Sequence, residues 1–444
     1  MHVEEPPPSE SLTMVTRKRV FELLDEPTRI PGHSDYLHWD KLRHLDPPTG
    51  LDHRHWWIAL KLARRPLQRE LPLRDAAGKP LTFATPDGVL RLLHQVDQSA
   101  SGQIAMPEVV TADEQARQHY LVNSLMEESI RSSQLEGATT SRSVAKELLR
   151  SGRQPNDRSE RMILNNYRAL QFMREQMGDR LRPAAVLALH RILTEGTLDN
   201  PDAAGRLQQP DEDRVAVHDR ANGKVIYRPP PADQLPARLE ALCGFANRGA
   251  EDQPFIHPVV RAILLHFWLA YDHPFEDGNG RTARALFYWS MRVQGYWLTE
   301  YLSISRILRN APAQYSRAFV LTETDEGDTT HFILYQLQVI KRAIKELHAY
   351  LRRKVAEVQG VEQLIRGSAQ FNHRQLALLG DAIRKPDRRY TFRSHAASHD
   401  VTHETARRDL GELAERGLLE RRRSGRQHLF VPPADLADRL QHSA

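Results

Sequence analysis

Residues 273–284 read HPFEDGNGRTAR, and the apolar run AILLHFWLAY leads into them. This short stretch gathers a histidine, two acids, a Gly-Asn-Gly turn and two arginines. Gly278, Asn279 and Gly280 tolerate positive φ, so successive backbone N–H groups can point into one concavity. A helix opening at about Arg281 adds its free N–H groups and the positive end of its dipole. Arg281 and Arg284 stand three apart on that helix and project from one face. Their guanidinium forks suit phosphate oxygens. Asp277, directly beside them, can hold a Mg2+ that bridges phosphates. His273, at the end of the preceding helix, is placed to take a proton from an incoming hydroxyl. Each feature alone is common in a turn or on a solvated helix face. Together, beside a buried helix, they read as a nucleotide-phosphate cradle with a metal and a general base, suited to attack by a hydroxyl on a bound phosphate.

The same stretch resembles the signature of the Fic family, HPF-x-D/E-GNGR-x-x-R, at every fixed position. The resemblance covers roughly Asp113 to Lys345. It implies a helical bundle with a β-hairpin flap and an activity of AMPylation, the transfer of AMP from ATP to a protein Ser, Thr or Tyr hydroxyl. On that resemblance His273 is the base, Phe275 the core residue anchoring the loop and Asp277 the Mg2+ ligand. Gly278, Asn279 and Gly280 form the anion nest, and Arg281 and Arg284 bind phosphate. Family members that phosphorylate instead lack GNGR, so the intact motif implies AMP transfer. A second stretch, SSQLEG, is similar to the inhibitory pattern S/T-x-x-x-E-G/N of self-regulated Fic proteins, with Ser132, Glu136 and Gly137 at its fixed positions. Its place upstream is that of the N-terminally inhibited class. Glu136 can pair bidentately with Arg284, taking the γ-phosphate's partner and leaving the α-phosphate of ATP out of line. The resemblance therefore implies a latent nucleotidyltransferase that uses Mg2+, takes ATP as substrate and acts on a protein target, itself included.

The elements that must position these residues are mainly helices. From Asp113 on, apolar residues recur at three- and four-residue steps in EQARQHYLVNSLMEESIRSS, SRSVAKELLRSG, SERMILNNYRALQFMREQMG and RPAAVLALHRILTEG. KPLTFATPDGVLRLLHQVDQ reads as a strand followed by a helix. RVAVHDRANGKVIYRPPP, residues 214–231, alternates around Asn222-Gly223 and predicts a hairpin that Pro229 to Pro231 stop. It lies where the family has its flap, which holds a target segment by strand addition. AGRLQQ only loosely resembles the family's Gly-x-x-Arg element and receives no role. His257 and His266 read as core hydrogen-bonding residues, since no zinc-ligand spacing accompanies them. Helices resume at about Pro236 and continue to about Val358. The divisions expected are a loose N-terminus over 1–35, an N-terminal extension over 36–112, the catalytic core with its inhibitory helix over 113–358, and a further unit over 371–436.

That last unit runs helix (NHRQLALLGDAIRK), short strand (RYTF), a short helix within SHAASHD, a helix opened by Thr402 and closed by Gly417, then a hairpin turning at Ser424-Gly425. This is the order of a winged helix-turn-helix domain, and VTHETARRDLGELAERGLL resembles DeoR-like regulators. Thr402, His403, Thr405, Arg407 and Arg408 would face a DNA groove; Arg421, Arg422, Arg423 and Arg426 would touch backbone phosphates from the wing. The acids Asp409, Glu412 and Glu415 dilute that charge, and winged helices also bind proteins. The net charge of the 444-residue chain is +5, and residues 385–428 carry eleven Lys/Arg against seven Asp/Glu, a net of +4.

One cysteine, Cys243, excludes a disulfide framework. The N-terminus lacks the apolar core of a signal peptide, and the longest apolar run, near 262–271, is too short to span a bilayer. A cytoplasmic protein without membrane contacts is expected. Two other readings stay open: a transcriptional regulator whose Fic-like core senses nucleotide, and an enzyme that removes AMP, with Glu136 orienting a water. An intact His273 favours transfer over sensing. Fic proteins often dimerise and helix-turn-helix proteins bind as pairs, so a homodimer is open too.

Overall fold

The computed structural model describes residues 3–7, 18, 21–22, 24, 30–100, 114–214, 217–218, 225–249, 251, 253–367, 370–384, 388–424 and 427–443. The chain divides into two units, one made of Met1–Ile104 and Leu121–Lys345, the other of Ala105–Tyr120 and Glu346–Ala444. Among the described residues no helix is long and apolar enough to cross a membrane.

The first unit begins with α1 (Trp39–Leu42) and α2 (His53–Arg64), a hairpin of β1 (Arg69–Arg74) and β2 (Pro80–Phe83), and α3 (Asp87–Ala100). Asp52 caps α2 by accepting from the His55 N–H at 2.8 Å. Trp56, Trp57 and Leu60 on α2 bury themselves against Leu42 and Ile30. The stretch expected to be loose, 1–35, is therefore folded at its far end: Ile30 is buried, because the apolar face of α2 needs a cover. Most of residues 8–29 lie outside the described residues. β2 and α3 are the strand and helix read in KPLTFATPDGVLRLLHQVDQ, whereas β1 has no counterpart in the sequence reading. RELPLR does alternate, burying Leu71 and Leu73, but Pro72 inside the run argues against a strand.

Helices α4 (Glu114–Leu135), α5 (Arg142–Ser151), α6 (Arg158–Glu175) and α7 (Pro183–Thr194) follow, then the short strands β3 (Val217–His218) and β4 (Val225–Tyr227). Next come α8 (Leu235–Ala246), α9 (Pro258–Asp272), α10 (Asn279–Val293), α11 (Ile304–Asn310), α12 (Pro312–Thr324) and α13 (Thr330–Gly367). Their starts are chemically marked: Ser141, Asp157 and Ser303 accept from first-turn N–H groups, and Pro183, Pro258 and Pro312 sit in first turns. Every residue of α9 from Val259 to Leu269 is buried, as an all-round apolar helix must be. Its polar members bond inside, His266 Nδ1 excepted, which has no hydrogen-bond partner among the described residues. His266 Nε2 lies 2.8 Å from the Tyr315 hydroxyl, and burial lowers its pKa to about 3. His257 caps α9 and faces Asp97 at 3.1 Å. Both are thus structural histidines. α10 packs along α9, and α6 and α7 pack on each other and on α10. Buried Cys243 on α8 has its thiol pushed up to about 12 by burial. β3 and β4 pair antiparallel as expected; the Asn222-Gly223 turn lies outside the described residues.

In the second unit α14 (His373–Arg384), α15 (Phe392–His399) and α16 (His403–Glu415) precede a hairpin of β5 (Glu420–Ser424) and β6 (Gln427–Val431), and α17 (Leu436–Ser443) closes the chain. Leu379, Leu410, Leu413, Leu418 and Phe430 form its core. α15 starts two residues earlier than SHAASHD, because Thr391 and Ser394 form a reciprocal capping box. RYTF contracts to a single bridge: Tyr390 and Phe430 exchange both backbone hydrogen bonds. Thr402 caps α16, and Gly417 follows it with φ 72°.

Candidate active site and nucleic-acid interface

The loop between α9 and α10 is built by local chemistry. His273 ends α9 in the left-handed region (φ 48°, ψ 53°) and donates its N–H to the Leu269 carbonyl at 3.0 Å. Asn279 closes the loop: its Oδ1 accepts from the Phe275 N–H at 2.9 Å and its Nδ2 donates to the Phe275 carbonyl at 2.7 Å. Both ends of its side chain are thereby bound to the loop backbone, and its backbone N–H stands at the start of α10. Phe275 is fully buried and stacks on His190, with ring centroids 3.7 Å apart and planes 6° apart. Burying such a ring contributes roughly 1.5–3 kcal/mol. His190 was not foreseen. Its Nε2 lies 2.9 Å from the Asp277 carbonyl, and its Nδ1 accepts from the Gly205 N–H at 3.0 Å. Burial lowers its pKa to about 4, so it stays neutral, with Nε2–H as donor. Nothing in the α7 sequence distinguishes it from a core histidine. Gly278 has φ 83°, and a Cβ there would meet Thr194 Cγ2 at 2.7 Å; only glycine fits.

His273 Nδ1 lies 3.3 Å from the Ala270 carbonyl. Nδ1 must carry the proton for that contact, which leaves Nε2 as the basic nitrogen. Burial lowers the His273 pKa, helped by Arg214 and opposed by the Ala270 carbonyl, Glu136 and Asp277.

The arginines of α10 are sunk in the protein. Arg281 donates to the Leu193 carbonyl at 3.1 Å and to Asp277 Oδ2 at 3.3 Å. Arg284 donates through Nε to Ser132 Oγ at 2.9 Å and through a terminal nitrogen to the Ser132 carbonyl at 3.2 Å. The same nitrogen sits 2.8 Å from Glu136 Oε1. Both guanidiniums are about 1 % exposed, yet Arg281 Nε and one terminal nitrogen of Arg284 make no hydrogen bond among the described residues. Buried N–H groups are seldom left so, and a phosphate would supply the missing acceptors. Ser132 and Glu136, four apart on α4 and the turn after it, face Arg284 together; Gly137 follows with φ 104°. Glu136 also covers the nest: a Cβ added to Gly280 would lie 2.1 Å from its Oε1. Asp277, its side chain 45 % exposed, accepts from the Gly278 N–H at 2.5 Å. Its carboxylate is a hard oxygen donor of the kind Mg2+ prefers. A second group of candidate metal ligands, Asp325, Asp328 and His331, converges within 4.8 Å. There, however, Lys61 lies 2.6 Å and His331 2.8 Å from Asp325, and Tyr36 donates to Asp328 at 2.6 Å. Ion pairs fill that cluster.

In the second unit Thr402, His403, Arg407 and Arg408 are exposed at the start of α16, and Thr405 is half-buried. Arg421, Arg422 and Arg423 are exposed on β5; Arg426 lies outside the described residues. Arg421 Nε sits 3.2 Å from His428 Nδ1, and Arg422 pairs with Glu420 at 2.8 Å. His428 is lowered by partial desolvation and by Arg421, Arg423 and Arg407, which marks the three guanidiniums as one positive cluster. Asp409, expected to dilute the surface charge, is instead fully buried. It accepts from Arg374 at 2.7 Å, from Asn372 at 2.8 Å and faces His395 at 3.2 Å. It stands one position past two exposed arginines, on the inward face of the helix.

Residues 180–291 match the profile of the Fic/DOC family, and residues 392–428 that of the DeoR-like helix-turn-helix domain. A stretch of 58 residues is 41 % identical to a Nematostella vectensis protein named protein adenylyltransferase Fic, covering 13 % of each chain. Another of 68 residues is 38 % identical to the Culex quinquefasciatus protein of the same name, covering 15 % of this chain and 13 % of that one. The chain thus spans only about an eighth of the curated relatives it matches. A Fic family protein from Desulfovibrio desulfuricans G20 superposes with a TM-score of 0.52 and 19 % identity, over 78 % of this chain and 96 % of that one. A Fic-1 fragment from C. elegans superposes with a TM-score of 0.50 and 17 % identity, over 77 % and 88 %. The fold is the mainly helical Fic fold with small hairpins. Residues 180–291 thus form a Fic/DOC-like domain, and residues 392–428 a DeoR-like helix-turn-helix domain.

Proposed function

We propose that this protein is an adenylyltransferase that moves AMP from ATP to a Ser, Thr or Tyr hydroxyl of a protein, itself included, and that Glu136 holds it latent. The carrying observation is the pair of buried arginines, each with an unpartnered N–H, beside a histidine whose Nε2 is the basic nitrogen. The nest of Gly278, Asn279 and Gly280 with Arg281 and Arg284 would take the phosphates. Asp277 would hold Mg2+, which when bound neutralises charge on the phosphates and the departing pyrophosphate. His273 Nε2 takes the proton of the target hydroxyl as its oxygen attacks the α-phosphorus. The bond from that phosphorus to the bridging oxygen breaks, and pyrophosphate leaves. The β3–β4 hairpin would seat the target segment by strand addition. Glu136, above Gly280 and against Arg284, stands where phosphate oxygens would lie, so the resting protein cannot align ATP.

The test is intact-protein mass after incubation with ATP and Mg2+, comparing wild type, Glu136→Gly and Glu136→Gly with His273→Ala. AMP added to the single variant alone is the expected result. Transfer by the double variant would remove His273 as the base, and equal transfer by the wild type would remove the latency. The second unit reads as a DNA-binding module on its cluster of Arg407, Arg421 and Arg423; an electrophoretic shift with duplex DNA that is lost on replacing them tests it.

A further inference from the structure

Left-handed backbone is uncommon for a non-glycine residue, yet His273 adopts it, and something must hold it there. The hydrogen bonds converge on one neighbouring segment, 208–214. Arg214 donates through one terminal nitrogen to the Asp272 carbonyl at 2.8 Å and through the other to the His273 carbonyl at 3.1 Å. The Gln208 N–H donates to the Pro274 carbonyl at 3.0 Å. Three successive carbonyls of the catalytic turn are thus held from one side. The same guanidinium continues to the hairpin: its Nε donates to the Pro230 carbonyl, just past β4, at 2.8 Å. Gln208 Oε1 accepts from Arg214, and Gln208 Nε2 donates to the Asp213 carbonyl at 3.2 Å. Arg214 therefore has its donors spent on backbone carbonyls and one buried amide, with no acid among these partners. An arginine kept only for charge would pair with a carboxylate. One whose fork spans the histidine turn and the hairpin's exit is a geometric device.

We propose that Arg214 is the positioning residue of the transfer reaction, fixing the backbone and ring of His273 and tying its placement to the β3–β4 hairpin. The proposal rests on His273 acting as the base. The bound turn directs Nδ1 to the Ala270 carbonyl and leaves Nε2 for the target hydroxyl; the tie to Pro230 makes a seated hairpin and an aimed histidine one arrangement. A displacement of about 1 Å at a reacting group costs roughly 100-fold in rate, so loss of the fork falls on kcat.

Two measurements on the full chain test this. In the Glu136→Gly background, Arg214→Lys keeps the positive charge but cannot reach the Asp272, His273 and Pro230 carbonyls together, and Arg214→Met removes the donors. Self-modification with labelled ATP should show kcat reduced by roughly 100-fold for Arg214→Met and less for Arg214→Lys, with the KM for ATP within about twofold of the parent. Ring 15N NMR, with His273 assigned by its loss in His273→Gln, should show a single Nδ1–H tautomer in the parent and a mixture in both Arg214 variants. The ring signal stands apart from the reaction: a silent parent with the expected tautomer change would retain the positioning and remove the transferase reading. An unchanged tautomer in a folded Arg214→Lys protein, or a full kcat in Arg214→Met, would overturn the positioning role. A KM for ATP that rises while kcat holds would also overturn it, since it would place Arg214 in nucleotide binding.

Discussion

His273 sits deep enough that burial, with Arg214 beside it, holds its pKa below the ordinary 6.5. A lowered value keeps the imidazole neutral, and so basic, further into acid. On the proposed mechanism kcat/KM, which reports the free enzyme, should stay level in Glu136→Gly from about pH 8 down to about 6.5 and fall only below that. An acid limb above 6.5 would mean the titrating base is another group. That HPFEDGNGRTAR brings His273, Asp277, Arg281 and Arg284 to one turn and helix start was legible, because both come from local composition. Their orientation was not. His190 and Arg214 act through space on carbonyls 87 and 58 or 59 positions away, and no local periodicity encodes such a distance.

At the scale of elements, the caps and prolines that start helices were readable, as was the apolar periodicity of α4 to α10. β2 was readable in KPLTF, but β1 was missed because Pro72 contradicts a strand by itself; pairing with β2 and burial of Leu71 and Leu73 override it. The opposite error occurred on α16, where Asp409 looked like surface charge. It is the point at which α14, α15 and α16 meet, through Arg374, His395 and its own backbone. Burial opposes its ionisation, but bonds from Arg374, Asn372 and His395 prevail and hold its carboxyl down at about 2. A depressed acid stabilises fully above its unfolded value, near 4, and the contribution is lost as pH falls towards 2. Asp409→Ala should destabilise this unit by about 3 kcal/mol, the low end for a broken buried pair, because Arg374 is 15 % exposed. Hydrogen exchange of residues 373–443 in the full chain would report it, and protection equal to wild type would refute the network's importance.

At the scale of the whole molecule, a small net charge conceals a local excess. The second unit presents Arg407, Arg421 and Arg423 around His428, whereas Arg422 is already paired with Glu420. If the unit binds duplex DNA, replacing Arg421, Arg422 and Arg423 with Gln should reduce the slope of log K against log salt by about 2 rather than 3, since each phosphate contact contributes about 0.9. A slope that does not move would assign the unit to a protein partner. Order along the chain, helices then a winged helix-turn-helix, could be read from punctuation by Gly, Pro and capping residues; the inward turn of Asp409 needed the packed core.

The ion pair over Gly280 is lopsided: the Arg284 side chain is 1 % exposed, while that of Glu136 is 30 % exposed. Only one of the two charges is captive. An interior guanidinium without a counter-ion is costly, so this pocket must always have an anionic tenant, and on the proposed reading the carboxylate and the nucleotide are rivals for the lease. Glu136→Gly should then melt earlier than wild type by roughly 2–4 °C for each kcal/mol lost, and ATP with Mg2+ should raise its melting temperature more than the wild type's. Idleness and durability would be one property here: the resting protein keeps because it does not work, and a variant freed to work depends on its own substrate to stay intact.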